Sequence, residues 1–140
     1  MTSFQVQKLS PDAILPTKGN ATDAGIDIYT NESYTLAPGE RHMFTTGIAC
    51  AFPDGFVGLL WDRSGLGSKG IHRFAGVIDS GYRGEWKVIL YNATNEPFEI
   101  KAGDKIIQCI VQKFEPTEIT EVASLEESER GEKGFGSSGR

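Results

Sequence analysis

The chain has 140 residues, 14 basic against 19 acidic, and a formal net charge of −5. That length gives one domain with a sizeable core, and a field of that sign excludes a general attraction for nucleic acid or an anionic membrane, while a local cluster of donors still suits a small anionic ligand. No apolar run approaches the roughly 20 residues of a membrane span and the first residues lack the apolar core of a signal peptide, so the expected compartment is the cytoplasm, or the nucleus in a eukaryotic or viral setting.

Short runs rich in Val, Ile, Phe, Thr and Tyr, punctuated by 17 glycines and 6 prolines, predict a chain that is β almost throughout. The predicted strands are 3–8, 25–30, 42–52, 56–62, 74–79, 86–92, 97–101 and 105–115. Turn signals separate them at Pro38-Gly39, Pro53-Asp54-Gly55, Asn95-Glu96-Pro97 and Ala102-Gly103-Asp104. No segment sustains a 3.6-residue period, and one short helical turn is expected near 65–69. Many short strands at this spacing predict an all-β fold, a jelly-roll or distorted β-barrel. Composition changes near Pro116: residues 117–133 are charged, and 131–140 hold four glycines and two serines around one Phe. The expected organisation is a β-barrel core over 1–116 and a C-terminal segment with a flexible arm over 117–140.

Along the chain, Asp27 alternates with Ile26 and Ile28 and so takes the opposite face of its strand, where it is either solvated or turned toward a site. Cys50 and Cys109 sit in apolar runs as small strand residues, neither with zinc-type spacing, and His42 and His72 are isolated. Arg63-Ser64-Gly65 stands where the strand 56–62 ends. Read alone it is a helix N-cap with a surface arginine; it also has the parts of an anion cradle, with free amides, a hydroxyl and a planar guanidinium fork. Asp79 ends the short apolar run Val77-Ile78, which puts a carboxylate at a strand end near the core, either capping the turn amides of Ser80-Gly81 or taking a proton from water. Tyr82 is either ordinary hairpin packing or a flat platform for a sugar that leaves no room for a 2′-hydroxyl. Gln108 interrupts a strongly apolar strand and needs a defined partner if buried. In the tail, Arg130 and Phe135 stand out from a composition that otherwise reads as a disordered terminus.

Five segments carry a resemblance in a fixed order: Pro16-Thr17-Lys18-Gly19 with Ala24-Gly25-Ile26-Asp27-Ile28; Arg63-Ser64-Gly65-Leu66 with Lys69; Ala75-Gly76-Val77-Ile78-Asp79-Ser80-Gly81-Tyr82-Arg83-Gly84-Glu85; Gly103-Asp104-Lys105-Ile106-Ile107-Gln108; and Arg130-Gly131 with Gly134-Phe135-Gly136-Ser137-Ser138-Gly139. In this order, over residues 16–139, the chain resembles the trimeric dUTPases, which hydrolyse dUTP to dUMP and pyrophosphate. The resemblance implies a jelly-roll homotrimer with three active sites at subunit boundaries. It implies that Asp79 holds the water that attacks the α-phosphorus and that Tyr82 lies against the deoxyribose. Gly76, Ile78 and Lys87 would offer backbone groups of a slot that reads uracil, and Arg63, Ser64, Gly65 and Gln108 would hold the phosphates. Asp27 would act behind the first layer of contacts, near metal-bound water, with Mg²⁺ held mainly by the triphosphate and not directly by the protein. Phe135 would cap the uracil while Arg130, Gly136, Ser137 and Ser138 close over the phosphates, the arm coming from a different subunit.

Three positions depart from the family pattern. Asp23 stands where a small neutral residue is usual, and Ser138 replaces a frequent Thr. Arg73 lies six residues before Asp79, where branches that use an Asn side chain at the uracil slot place it; other branches have Ala-Gly-Val-Ile-Asp without the Asn, as here. The dCTP deaminases share the fold but usually carry two serines after the second-motif Arg and a Phe where Tyr82 stands. A non-catalytic nucleotide-binding protein should have lost Asp79 or the tail motif, and a purely structural jelly-roll leaves both without a purpose.

Overall fold

The computed structural model describes residues 3–134. Within them the turn-forming residues cut the apolar runs into eleven short strands: β1 (Gln5–Lys8), β2 (Ile26–Tyr29), β3 (Tyr34–Leu36), β4 (Arg41–Thr45), β5 (Ile48–Ala51), β6 (Phe56–Trp61), β7 (Ile71–Phe74), β8 (Val77–Asp79), β9 (Lys87–Asn92), β10 (Phe98–Ile100) and β11 (Lys105–Lys113). One helical turn, α1 (Ser64–Gly67), follows β6. All pairings are antiparallel, in the orders β2-β11-β6-β8, β4-β9-β7, β1-β5 and β3-β10. This is the all-β jelly-roll expected from the strand spacing.

Alternation builds the core. On β9, Val88, Leu90 and Asn92 point inward, and on β2 Ile26 and Ile28 do, which leaves Asp27 on the other face. A register shift between Lys105 and Ile107 in the β11–β2 ladder accompanies the burial of both Ile106 and Ile107. Trp86, Phe44, Leu36, Ile48, Ile71 and Ile100 complete the interior, each such side chain contributing about 1.5–3 kcal/mol by leaving water. The buried Asn92 is satisfied: its Nδ2 donates to the Leu36 and Glu96 carbonyls, and its Oδ1 accepts from the Thr94 amide and hydroxyl. Cys50 and Cys109 are buried and unpaired, and burial pushes both thiols up to about 12.

Two predicted strands are each two strands. The run 42–52 breaks at Thr46-Gly47, where Gly47 has φ 68 and the chain passes from the β4–β9 sheet to the β1–β5 pair. A side chain at Gly47 would strike Ser10, Ala13 and Asn31, so a close approach of backbone and a left-handed residue coincide there. The run 74–79 breaks at Ala75-Gly76, both with positive φ: Phe74 ends β7, whose residues 71–73 were not expected as strand and which pairs with β9, while β8 pairs with β6. The three-residue β3 was not expected, and the helical turn begins one residue earlier than expected. Beyond β11 the described residues carry no strand or helix, and residues 112–133 are exposed.

Candidate active site

Asp27, Gln108 and Trp61 stand side by side across the β2–β11–β6 sheet. Asp27 is the hub of this end. Its Oδ1 accepts from Arg63 Nε at 3.0 Å and its Oδ2 from Lys105 Nζ at 2.8 Å, with the Asp27 side chain only 18% exposed. Arg63 Nη1 also donates to the Lys105 carbonyl at 3.1 Å. The guanidinium is thus fixed at two points, and the bond to Asp27 raises the Lys105 pKa above its ordinary value. Two cations against one carboxylate leave this corner with excess positive charge.

Arg63 occupies the N-cap position of α1, with no side-chain cap bond, and the Ser64 and Gly65 amides have no acceptor within the helix. Ser64 and Gly65 are exposed, and among the described residues no heavy atom lies within 4 Å of a Cβ built on Gly65. Gln108 Nε2 donates to the Asp62 carbonyl at 2.8 Å, the defined partner its position requires. Gly25 makes room for it, because a Cβ there would sit 2.3 Å from Gln108 Oε1.

At the other end of β6 lies the β8 turn. Ile78 is buried opposite Gly58, and Asp79 follows as the last residue of β8, opposite Val57. Asp79 is exposed instead of core-facing, and its carboxylate has no hydrogen-bond partner among the described residues, so it does not cap the turn; the turn is closed by the Tyr82 amide on the Asp79 carbonyl at 3.1 Å. Tyr82 Oη donates to the Glu85 carbonyl at 3.0 Å. Its ring lies over Gly84, where a Cβ would come within 2.4 Å of the hydroxyl oxygen. A cleft of about 370 Å³ opens between Gly76, Asp79, Tyr82, Lys87, Met43 and Trp86. Arg130 is exposed, its Nε donating to the Lys133 carbonyl at 2.9 Å. Phe135, Gly136, Ser137 and Ser138 lie outside the described residues.

The two ends do not meet within one chain. Asp79 pairs with Val57, and Arg63 follows Val57 by six residues of β6 and its extended continuation. At about 3.3 Å per extended residue the two backbones stand about 20 Å apart, longer than the phosphate chain of a nucleotide. Asp27, Arg63, Ser64, Gly65 and Gln108 form one group and Ile78, Asp79, Tyr82 and Lys87 the other; Gly76 lines the Asp79 cleft but lies between them, its carbonyl accepting from the Leu60 amide at 2.8 Å.

Four residues given no role from sequence organise these groups. Lys105 shares Asp27 with Arg63; Asp62 receives Gln108 through its carbonyl and the Arg73 amide through its carboxylate; Gly25 and Gly84 seat Gln108 and Tyr82. Lys105, Gly25 and Gly84 lie inside the ordered motifs without a role there, and the polar breaks of Lys105 and Gln108 in the apolar run of β11 were a further signal. Among the described residues no group of three or more His, Cys, Asp or Glu side chains is placed to hold a metal ion. Asp27, the one carboxylate in the cationic group, already accepts from two cations. That donor set fits a hard cation that arrives bound to phosphate oxygens and keeps its waters.

The dUTPase family model matches residues 11–139. The deoxyuridine 5′-triphosphate nucleotidohydrolase of Mycolicibacterium gilvum is 44% identical over 147 aligned positions, covering 99% of this chain and 96% of that protein. The human mitochondrial enzyme of the same name is 45% identical, covering 95% of this chain and 53% of that protein. Among solved structures, the dUTPase of Staphylococcus bacteriophage 80alpha with dUPNHPP superposes with a TM-score of 0.92 at 33% identity, covering 99% of each chain.

Proposed function

The chain belongs to the dUTPase family, and we propose that it hydrolyses dUTP to dUMP and pyrophosphate with Asp79 orienting the attacking water. The observation that carries this is the end of β8: an exposed carboxylate without a hydrogen-bond partner among the described residues, three residues before a tyrosine ring pinned by Glu85 over Gly84. The water oxygen forms the new bond to the α-phosphorus and gives its proton to Asp79. The bond from the α-phosphorus to the oxygen bridging to the β-phosphorus breaks, and pyrophosphate leaves with that oxygen. Tyr82 lies against the deoxyribose, and backbone groups of Gly76, Ile78 and Lys87 read the uracil edge. Arg63, Ser64, Gly65 and Gln108 hold the phosphates, with Asp27 and Lys105 fixing the angle of the guanidinium.

Because about 20 Å of β6 separates Asp79 from Arg63, one site takes Asp79 from one copy and Arg63 from another. A ring of three copies closes this arrangement with three equivalent sites. Mg²⁺ held on the triphosphate supplies charge neutralisation and alignment of the α-phosphorus. Residues 1–116 form the barrel, and 117–140 form an arm. On it Phe135 covers the uracil, while Arg130, Gly136, Ser137 and Ser138 close over the phosphates of another copy. No helix among the described residues is long and apolar enough to cross a membrane, and a cytoplasmic or nuclear site of action suits a chain that consumes a free nucleotide.

The test is pyrophosphate release from dUTP, dCTP, dTTP and UTP, each with Mg²⁺ and with a chelator. Mg²⁺-dependent release from dUTP alone is expected. Release from none of them overturns the assignment, and equal release from dUTP and UTP removes Tyr82 from sugar selection.

A further inference from the structure

Behind the elbow that joins β7 to β8 lies a second cleft, of about 490 Å³, which shares Leu60, Ala75, Gly76 and Val77 with the Asp79 cleft and adds Trp61 and Arg73. The elbow is strained. Ala75 has φ 63, the only non-glycine positive φ among the described residues, and Gly76 follows at φ 126. A left-handed L-residue is sterically disfavoured and persists only where its surroundings impose it. The Gly76 carbonyl is held by the Leu60 amide at 2.8 Å, and the Ala75 carbonyl by Arg73 Nη1 at 2.9 Å. Arg73 is itself fixed. Its amide donates to Asp62 Oδ1 at 2.9 Å, and its guanidinium carbon stands 5.0 Å from the centroid of the half-exposed Trp61 ring, within cation–π range. Its Nε is buried without a partner among the described residues. A surface arginine kept with one donor unsatisfied and one donor on a strained carbonyl is placed for that carbonyl and not for the core.

We propose that Arg73, stacked on Trp61 and bonded to the Ala75 carbonyl, is the positioning residue that fixes the left-handed Ala75–Gly76 backbone and so sets the slot for the nucleotide base. This rests on the assignment of the 76–78 edge as the base-reading element. A slot made of backbone groups has no side-chain rotamers to adjust, so its selectivity depends on the dihedral angles of the elbow. Arg73 holds them from the side away from the substrate. It touches neither base nor phosphate, and its effect falls on binding, leaving the Asp79 water in place.

Two variants separate this from a general structural role. Arg73→Met keeps a long stem over Trp61 and removes the donors; Arg73→Lys keeps the charge and one donor head but not the fork. The readouts are calorimetric binding of dUMP, KM and kcat for dUTP, and the melting temperature. For Arg73→Met the dUMP dissociation constant and the dUTP KM are expected to rise about tenfold, the weight of one charge-assisted hydrogen bond. The kcat is expected to stay within about twofold of wild type, and Arg73→Lys to fall between the two. Unchanged dUMP affinity and KM in Arg73→Met overturns the proposal, as does a joint fall of kcat, affinity and melting temperature in both variants. If wild type binds dUMP without hydrolysing dUTP, the hydrolase assignment fails and the dUMP measurements alone judge Arg73. If wild type binds no dUMP, both are overturned.

Discussion

Gly84→Ala isolates the part played by the Tyr82 ring without touching the ring itself. The new Cβ would lie 2.4 Å from the Tyr82 hydroxyl oxygen, 2.6 Å from Cζ and 2.9 Å from Cε2, all closer than non-bonded atoms approach. Tyr82 is 47% exposed and meets the new methyl with the far end of its side chain, so the ring swings away and the backbone stays. The direct cost is the 3.0 Å bond to the Glu85 carbonyl, an exposed interaction of about 0.5–1.5 kcal/mol. For a domain of this size that lowers the melting temperature by no more than about 5 °C. The functional cost is the sugar platform. If the flat ring contributes about 1–3 kcal/mol to discrimination against the 2′-hydroxyl, the ratio of kcat/KM for dUTP over UTP falls by about fivefold to about 150-fold. The assay is pyrophosphate release from each nucleotide at low substrate concentration. Tyr82→Ala should lower the ratio similarly, and the double variant should add nothing further, because both changes remove one element. An unchanged ratio in Gly84→Ala, with a melting curve showing the protein folded, refutes the platform.

Asp79→Asn keeps the shape of the β8 turn and removes the base; dUTP binding by calorimetry should persist while kcat falls by about 10²–10⁴, and near-normal turnover would remove Asp79 from the chemistry. Gly25→Ala forces Gln108 off the Asp62 carbonyl, since its Cβ would stand 2.3 Å from Gln108 Oε1. Its kcat/KM for dUTP should fall about tenfold as one phosphate donor is misaligned, whereas normal kinetics would take Gln108 out of the site. Removing residues 130–140 should leave the melting temperature and oligomeric state unchanged and turnover poor, because the barrel core ends at β11; a truncated protein that unfolds or dissociates would make the arm a structural strap instead.

Much of the fold was legible because local pattern and tertiary environment agree. β6, β9 and β11 lie within a residue or two of the predicted runs, and the alternation around Asp27 correctly separated it from Ile26 and Ile28. The misses occur where tertiary packing overrides local preference. Nothing in an apolar run shows that Gly47 must fit against Ser10, Ala13 and Asn31, or that Ala75 must turn left-handed. The three residues of β3 are too few to carry a period, and become a strand only because β10 returns beside them. The site divides the same way. Arg63, Asp79, Tyr82 and Gln108 were legible as residue types in ordered motifs. Lys105 on Asp27 and Gln108 on the Asp62 carbonyl were not, because each contact joins distant segments of the chain. Arg73, which departs from the family pattern, acquires a role only when the elbow and Trp61 are seen around it.

The most direct measurement is complementation between two inactive variants, Asp79→Asn and Arg63→Ala, co-expressed with different tags and purified through both. Each alone should release almost no pyrophosphate from dUTP. In a closed ring of three copies that contains both variants, one junction joins an intact Asp79 to an intact Arg63, so about one site in three should work. Recovery of about a third of wild-type turnover in the doubly tagged protein is the expected result. Doubly tagged oligomers as inactive as either parent would contradict it, and would mean that Asp79 and Arg63 serve one site within a single chain despite the length of β6 between them.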